Sequence, residues 1–187
     1  MTTLAERSSA MAPNPAPMLA ALQAPAPRPE MASKLRLYGQ FVGSWALEAE
    51  WRSLEGPVRR AEGEWHFDWV LDGRAVQDVW IFPARRLRRS DNAEPWHIWG
   101  STFRWYDPPL DAWRIAWFDP SRGFELRQIG RAQGADIVQI GEDRGGLLHR
   151  WRFLDITAES FRWLGEASWD RGASWTQILE MWARRSS

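Results

Sequence analysis

The chain has no cysteine, a single lysine (Lys34) and only two tyrosines. Without cysteine there are no disulfides, no thiolate nucleophile, and no Cys-ligated zinc or iron–sulfur cluster. Arginine carries nearly all the positive charge, and 24 basic residues balance 24 acidic ones. A balanced chain sets up no global field toward nucleic acid or an anionic membrane, so neither is expected as a partner. No apolar run approaches the roughly 18 residues of a membrane-spanning helix. Met1-Thr2-Thr3-Leu4-Ala5-Glu6-Arg7 lacks the charged and apolar regions of a signal peptide, and a cytoplasmic location is expected. There is no Gly-rich phosphate loop, no Gly-x-Ser-x-Gly elbow and no pair of carboxylates at a recognisable spacing.

Tryptophan is abundant, with 15 in 187 residues. Each brings a large apolar area and one N–H that wants a partner when buried. Two readings follow: the indoles fill a core and cover its outside, or several line a pocket, since pockets favour aromatic walls.

Residues 1–29 contain two Ala/Pro clusters, Met11-Ala12-Pro13-Asn14-Pro15-Ala16-Pro17 and Ala24-Pro25-Ala26-Pro27-Arg28-Pro29. This composition predicts a disordered arm with a transient helical turn at Met18–Leu22. Met31, Leu35, Tyr38 and Val42 then recur at helical spacing, which predicts a short amphipathic helix stopped by Gly43. The domain proper is expected over 30–187.

From Gly43 onward the pattern has period two. Trp45, Leu47, Ala49 and Trp51 share one face with Glu48, Glu50 and Arg52 on the other, and Trp65, Phe67 and Trp69 alternate with Glu64, His66 and Asp68. Asp72-Gly73 reads as a type I′ hairpin turn, and Asp107-Pro108-Pro109 and Asp119-Pro120-Ser121-Arg122-Gly123 as further turns. Further strands are expected over 75–82, 96–106, 112–118, 124–129, 137–140, 147–154, 160–168 and 175–183. About ten strands joined by short turns form an up-and-down meander, and closure into a barrel removes its two open edges. The expected fold is therefore all-β: a closed antiparallel barrel of about ten strands behind a short N-terminal helix. About eight strands already enclose room for one small ligand. A β-sandwich is the competing architecture, and only residues 83–94 offer a connection long enough to suggest one.

Gly43-Ser44-Trp45, just after the helix, resembles the Gly-x-Trp that opens calycin barrels, the lipocalin and fatty-acid-binding group. Gly73-Arg74, Tyr106-Asp107 ahead of Trp113, and Asp170-Arg171-Gly172-Ala173-Ser174-Trp175 resemble positions in an uncharacterised bacterial family of lipocalin-like barrels; there Arg171 departs from the family's usual Gly. This resemblance, over roughly 35–184, implies a barrel with a ligand cavity and no established reaction. The haem-binding nitrobindin-like barrels also begin with Gly-x-Trp and need an axial histidine inside the barrel. The chain lacks their Gly-rich opening strand, so the likeness carries the fold and not the cofactor. No cofactor and no metal site are expected, with haem the one cofactor left open.

Three histidines are present. His66 shares a face with Glu64 and Asp68 and is expected outside. His97 shares a face with Trp99, Ser101, Phe103 and Trp105, and His149 with Leu147, Trp151 and Phe153; these apolar faces are expected to point inward. Arg104 is then outside, unless the parity of that strand is reversed, because a one-residue slip exchanges the faces. Gln77 or Asp78, Gln128 and Gln177 are polar residues on mostly apolar faces, and a buried polar group needs a partner. Arg85, Arg86, Arg88 and Arg89 read as a solvated loop.

The expected function is binding of a small apolar or aromatic molecule by Trp69, Gln77, His97, Trp99, Phe103, Trp105, Gln128, His149 and Trp151. The alternative is an enzyme of cyclase, isomerase or dehydratase type, using the same cavity with His97 or His149 as acid or base. A homodimer is compatible with either.

Overall fold

The structure is a computed structural model and describes residues 16–53, 56–88 and 97–186. Ten strands follow two short helices. They are β1 (Gly43–Trp51), β2 (Arg59–Val70), β3 (Ala75–Phe82), β4 (Ile98–Asp107), β5 (Ala112–Asp119), β6 (Phe124–Gln133), β7 (Asp136–Glu142), β8 (Leu148–Leu154), β9 (Ser160–Ser168) and β10 (Thr176–Arg185). Each pairs antiparallel with its neighbours in sequence, and β1 pairs with β10, so the sheet closes into a barrel as expected. No described helix is long and apolar enough to cross a membrane.

One end of the barrel is plugged. Helix α1 spans Pro17–Leu22, and helix α2 spans Ala32–Gly39 behind a 3₁₀ turn at Pro29–Met31. Leu35 and Tyr38 of α2, with Phe41, are fully buried in the barrel mouth beneath them. The Trp45 indole donates to the Phe41 carbonyl at 2.7 Å, so the Gly-x-Trp tryptophan fastens the chain leaving the helix. A Cβ at Gly39 would overlap the Trp69 ring, which explains a glycine in the last turn of α2.

Part of the stretch read as a disordered arm is folded onto the barrel. β2 runs on past the first residue of β1, leaving backbone groups at Trp69–Leu71 open. Leu22–Ala24 fills that edge: Ala24 N–H donates to Trp69 C=O at 2.9 Å, and Leu22 C=O accepts from Leu71 N–H at 2.8 Å. Arg28 N–H then donates to Gly73 C=O. Gly73 has φ +70, and a Cβ there would strike the backbone of Ala26, so the turn residue also makes room for the tail. The arm's first half, 1–15, lies outside the described residues, as do Leu54 and Glu55 of the predicted turn after β1, and residues 89–96 with Arg89 of the predicted polar loop.

The inner face carries Trp45, Leu47, Trp65, Phe67, Trp80, Trp113, Ile115, Trp117, Leu126, Trp151, Phe153, Phe161, Trp163 and Met181, all buried. β4 is the exception to the expected pattern. Its inner residues are Ile98, Gly100, Thr102 and Arg104, and its aromatics Trp99, Phe103 and Trp105 stand on the outer face. The reason is space: a Cβ at Gly100 would overlap the Trp117 ring, and Arg104 fills the interior opposite Asp78. β10 holds a second parity change. A bulge between Gln177 and Leu179 turns Gln177 outward, where it donates to Glu180 Oε2 at 2.8 Å.

Candidate functional site

The end opposite α2 is open. Here β1, β3, β5, β7 and β9 finish and β2, β4, β6, β8 and β10 begin. A cavity of about 790 Å³ opens at this end. Trp80, Trp117, Trp151 and Trp163, from β3, β5, β8 and β9, line it. Their rings pack edge to face or tilted, with centroids 4.5 Å apart for Trp80 and Trp117, 5.0 Å for Trp80 and Trp163, and 5.2 Å for Trp151 and Trp163. Offset and edge-on arrangements match the ring quadrupoles and fix the indoles as a rigid wall. Trp51, Ile98, Phe124 and Leu179 stand around the opening, with Pro57 and Val58 of the β1–β2 loop. The indole N–H groups of Trp80 and Trp163 are buried and have no protein acceptor among the described residues.

Polar groups enter at the rim. His149 begins the inner face of β8 and is nine-tenths buried. Its Nε2 lies 3.0 Å from Asp143 Oδ2, and the Phe124 ring stands edge-on at 6.0 Å. Asp143 is the turn residue between β7 and β8 and also accepts the amides of Gly145 and Leu147. Burial raises the Asp143 carboxyl, but the His149 hydrogen bond and those two amides outweigh it and hold the group below the usual carboxylate range. It is therefore ionised at neutral pH and fixes the imidazole in place.

Deeper in the barrel, toward α2, lies a second polar group. Arg104 donates through Nη1 to Asp78, and solvent reaches neither side chain. The Arg104 guanidinium also lies over the rings of Tyr38, Phe67 and Phe153, 5.1–5.8 Å from their centroids. Gln139 Nε2 donates to the Tyr38 hydroxyl at 2.9 Å. Burial pulls Arg104 down to about 10, with the Tyr38 phenol acting the other way, so it stays charged at neutral pH. Burial pushes the Tyr38 phenol up. Neither Arg104 nor Asp78 lines the cavity at the open end.

The expected site residues divide sharply. His149 and Trp151 line the cavity. Gln128 faces inward and is buried, its amide directed at the carbonyls of Gln139 and His149 at 3.4–3.5 Å. Trp69 points inward at the plugged end, packed under α2, and lines no part of the cavity. The inward placement expected for His97, Trp99, Phe103 and Trp105 is corrected: His97 is exposed, Trp99 is 47% exposed, and Phe103 and Trp105 sit on the outer surface. Gln77 is also outside, donating to Ser101 Oγ at 2.9 Å, and the inward residue of that pair is Asp78. His66 is on the outer face between Ser44 and Glu64, as its neighbours implied. Trp51, Trp80, Trp117, Trp163 and Arg122 were not among the expected site residues. For the tryptophans, the signal that could have found them is the alternation of their strands combined with a position toward the open end; Arg122 lies in the turn between β5 and β6, where alternation does not apply.

Among the described residues no group of three or more His, Cys, Asp or Glu side chains is arranged to hold a metal ion. His149 is the one histidine of the three that faces the cavity.

No protein-family model and no curated protein matches the chain. Among solved structures, the crystal structure of Rv2717c from M. tuberculosis is similar, with a TM-score of 0.59 at 13% identity, over 86% of this chain and 99% of that one. At that identity the likeness carries the fold alone.

Proposed function

We propose that this protein is a lipocalin-like carrier that holds one small, flat, apolar molecule in the cavity at its open end. The observation that supports this reading is the cavity itself: about 790 Å³ bounded by Trp80, Trp117, Trp151 and Trp163. Cavities of about 300–1,000 Å³ with apolar walls and a few polar groups are the usual form of small-molecule sites. Each Å² of ligand surface removed from water contributes roughly 25 cal/mol, and ring stacking on indoles adds to this. The rigid indole wall lowers the ordering cost of binding. The test is titration with the neutral fluorophore N-phenyl-1-naphthylamine. Saturable one-to-one binding, with a dissociation constant on the order of micromolar and weakened by Trp151→Ala, is expected. Non-saturable binding, or binding indifferent to Trp151→Ala and Trp163→Ala alike, refutes the reading.

One observation favours a second reading, an enzyme that uses the same cavity. His149, oriented by Asp143 at 3.0 Å, has no protein partner on Nδ1 among the described residues. An imidazole held on one nitrogen and open on the other is the arrangement of a general acid or base. Turnover lost in His149→Ala with ligand binding retained is the result this reading requires.

A further inference from the structure

Among the described residues, every ionised side chain lining the open cavity is cationic. Arg52, Arg59 and Arg122 line it beside His149, and no Asp or Glu does so among the described residues. Arg52 pairs with Glu50 at 3.0 Å and Arg122 with Asp119, and neither of these acids lines the cavity. Arg122 shows what this arrangement does. Its Nε donates to Asp119 Oδ2 at 2.5 Å, and the Asp119 side chain is completely buried. Asp119 Oδ1 is occupied by the Ser121 amide at 3.1 Å and the Ser121 hydroxyl at 2.5 Å. The carboxylate is thus fixed by its own turn and grips only one edge of the guanidinium. The two terminal nitrogens of Arg122 have no protein partner among the described residues, and the side chain is half-exposed at the opening. His149 repeats the device, held through Nε2 by Asp143 with Nδ1 left over. Phe124 stands beside the imidazole, so an aromatic surface joins the two polar groups to the tryptophan wall.

A planar guanidinium anchored on one edge and open on the other presents two parallel donors, the fit for a carboxylate rather than a single hydroxyl. Arg52 and Arg122 on the rim, with no acid lining it among the described residues, disfavour a cationic ligand and draw in an anionic one. We infer that the cavity selects flat aromatic molecules bearing a carboxylate, the ring lying against Trp80, Trp151 and Trp163 and the carboxylate on the terminal nitrogens of Arg122. This rests on the carrier reading and adds a ligand class to it.

The test compares 2-naphthoate with 2-naphthalenemethanol, which share a ring and differ in charge, by isothermal titration calorimetry on the full chain. Naphthoate is expected to bind about tenfold more tightly at low salt, with the preference shrinking in concentrated NaCl as the half-exposed pair is screened. Arg122→Gln is expected to bring naphthoate to the affinity of the alcohol while the alcohol stays within about twofold of its own value. Equal binding of both compounds by the unaltered protein overturns the carboxylate inference and leaves the carrier reading standing. Failure of both to bind overturns the carrier reading as well. A preference that survives Arg122→Gln, or an equal loss for both compounds, overturns the role given to Arg122. The comparison on the unaltered protein needs no variant to fold.

Discussion

Arg104 of β4 and Asp78 of β3 meet inside the barrel, joined through Nη1 with no solvent reaching either side chain. Charges taken out of water lose their hydration, and the attraction between them offsets that loss only while both are present. Asp78→Ala leaves an unpaired guanidinium under Tyr38, Phe67 and Phe153. It is expected to destabilise the protein by about 3–5 kcal/mol. The double variant Asp78→Leu/Arg104→Met removes both charges and is expected to recover most of that loss. Urea unfolding measures both, and a single variant costing less than about 1 kcal/mol would mean that water reaches the unpaired guanidinium.

The wall of the cavity depends on glycines. A Cβ at Gly100 would overlap the Trp117 ring, and Trp117 packs on Trp80. Gly100→Ala is expected to cost about 1–3 kcal/mol through overpacking and to reshape the wall. Thermal unfolding and the Kd for N-phenyl-1-naphthylamine should move together. A change in neither places the Trp117 ring elsewhere.

Facing, rather than aromaticity, decides which tryptophans line the open cavity. Trp99 stands on the outer surface and Trp151 lines the cavity. Trp99→Ala is expected to change probe affinity less than about twofold, and Trp151→Ala to weaken it about tenfold, roughly 1.4 kcal/mol. The reverse order would mean that the site lies outside the barrel.

Acid should find a specific weak point on the outer face. Burial raises the Glu64 carboxyl, but hydrogen bonds from the Arg85 side chain and His66, and the Arg85 amide, outweigh it and hold the group at about 2 against an ordinary 4.5. A lowered folded-state pKa contributes stability above the unfolded value, and that contribution is lost as pH falls through the folded one. Glu64→Gln is therefore expected to be the less stable protein above about pH 5. The gap should close between pH 4.5 and about 2. Urea midpoints across that range test it, and a gap independent of pH would remove the ionised carboxylate from the account.

His149 separates carrier from enzyme. If the protein only binds, His149→Ala should shift ligand affinity and leave no chemical step to lose. If it catalyses, bound ligand should remain unconverted in the variant over a period in which the parent protein transforms it. Mass spectrometry of the ligand after incubation reads the difference.

The barrel was legible because its grammar is local. Alternation names a strand within a few residues, and Asp72-Gly73 or Asp107-Pro108-Pro109 names a turn without reference to anything distant. Strands 75–82 and 160–168 coincide with the observed β3 and β9. Of the residues expected to bind, two, His149 and Trp151, line the cavity at the open end. Facing in β4 is set by events on other strands: Trp117 needs the space above Gly100, and Asp78 needs Arg104. Hydropathy alone sends Trp99, Phe103 and Trp105 inward, and with aromatics on both faces of the sheet the rule loses its discrimination. The bulge in β10 defeats a parity reading of Gln177 in the same way, since one extra residue exchanges inside and outside. The packing of Leu22–Ala24 on the end of β2 was hidden because it answers open backbone groups there, which no property of the Ala/Pro sequence reports.

The seam between β1 and β10 has a consequence for how the chain is made. Trp45 opposes Arg185 and Trp51 opposes Leu179, so the first strand finds its second neighbour only when the last strand has been synthesised. Each intermediate length on the ribosome is an open ribbon with two unpaired edges and a half-covered row of indoles, the kind of species prone to aggregate. Contacts between ends so distant in sequence also slow folding. This protein should therefore hide its sheet edges late and all at once, and its yield in cells should depend on chaperone supply more than its final stability would suggest.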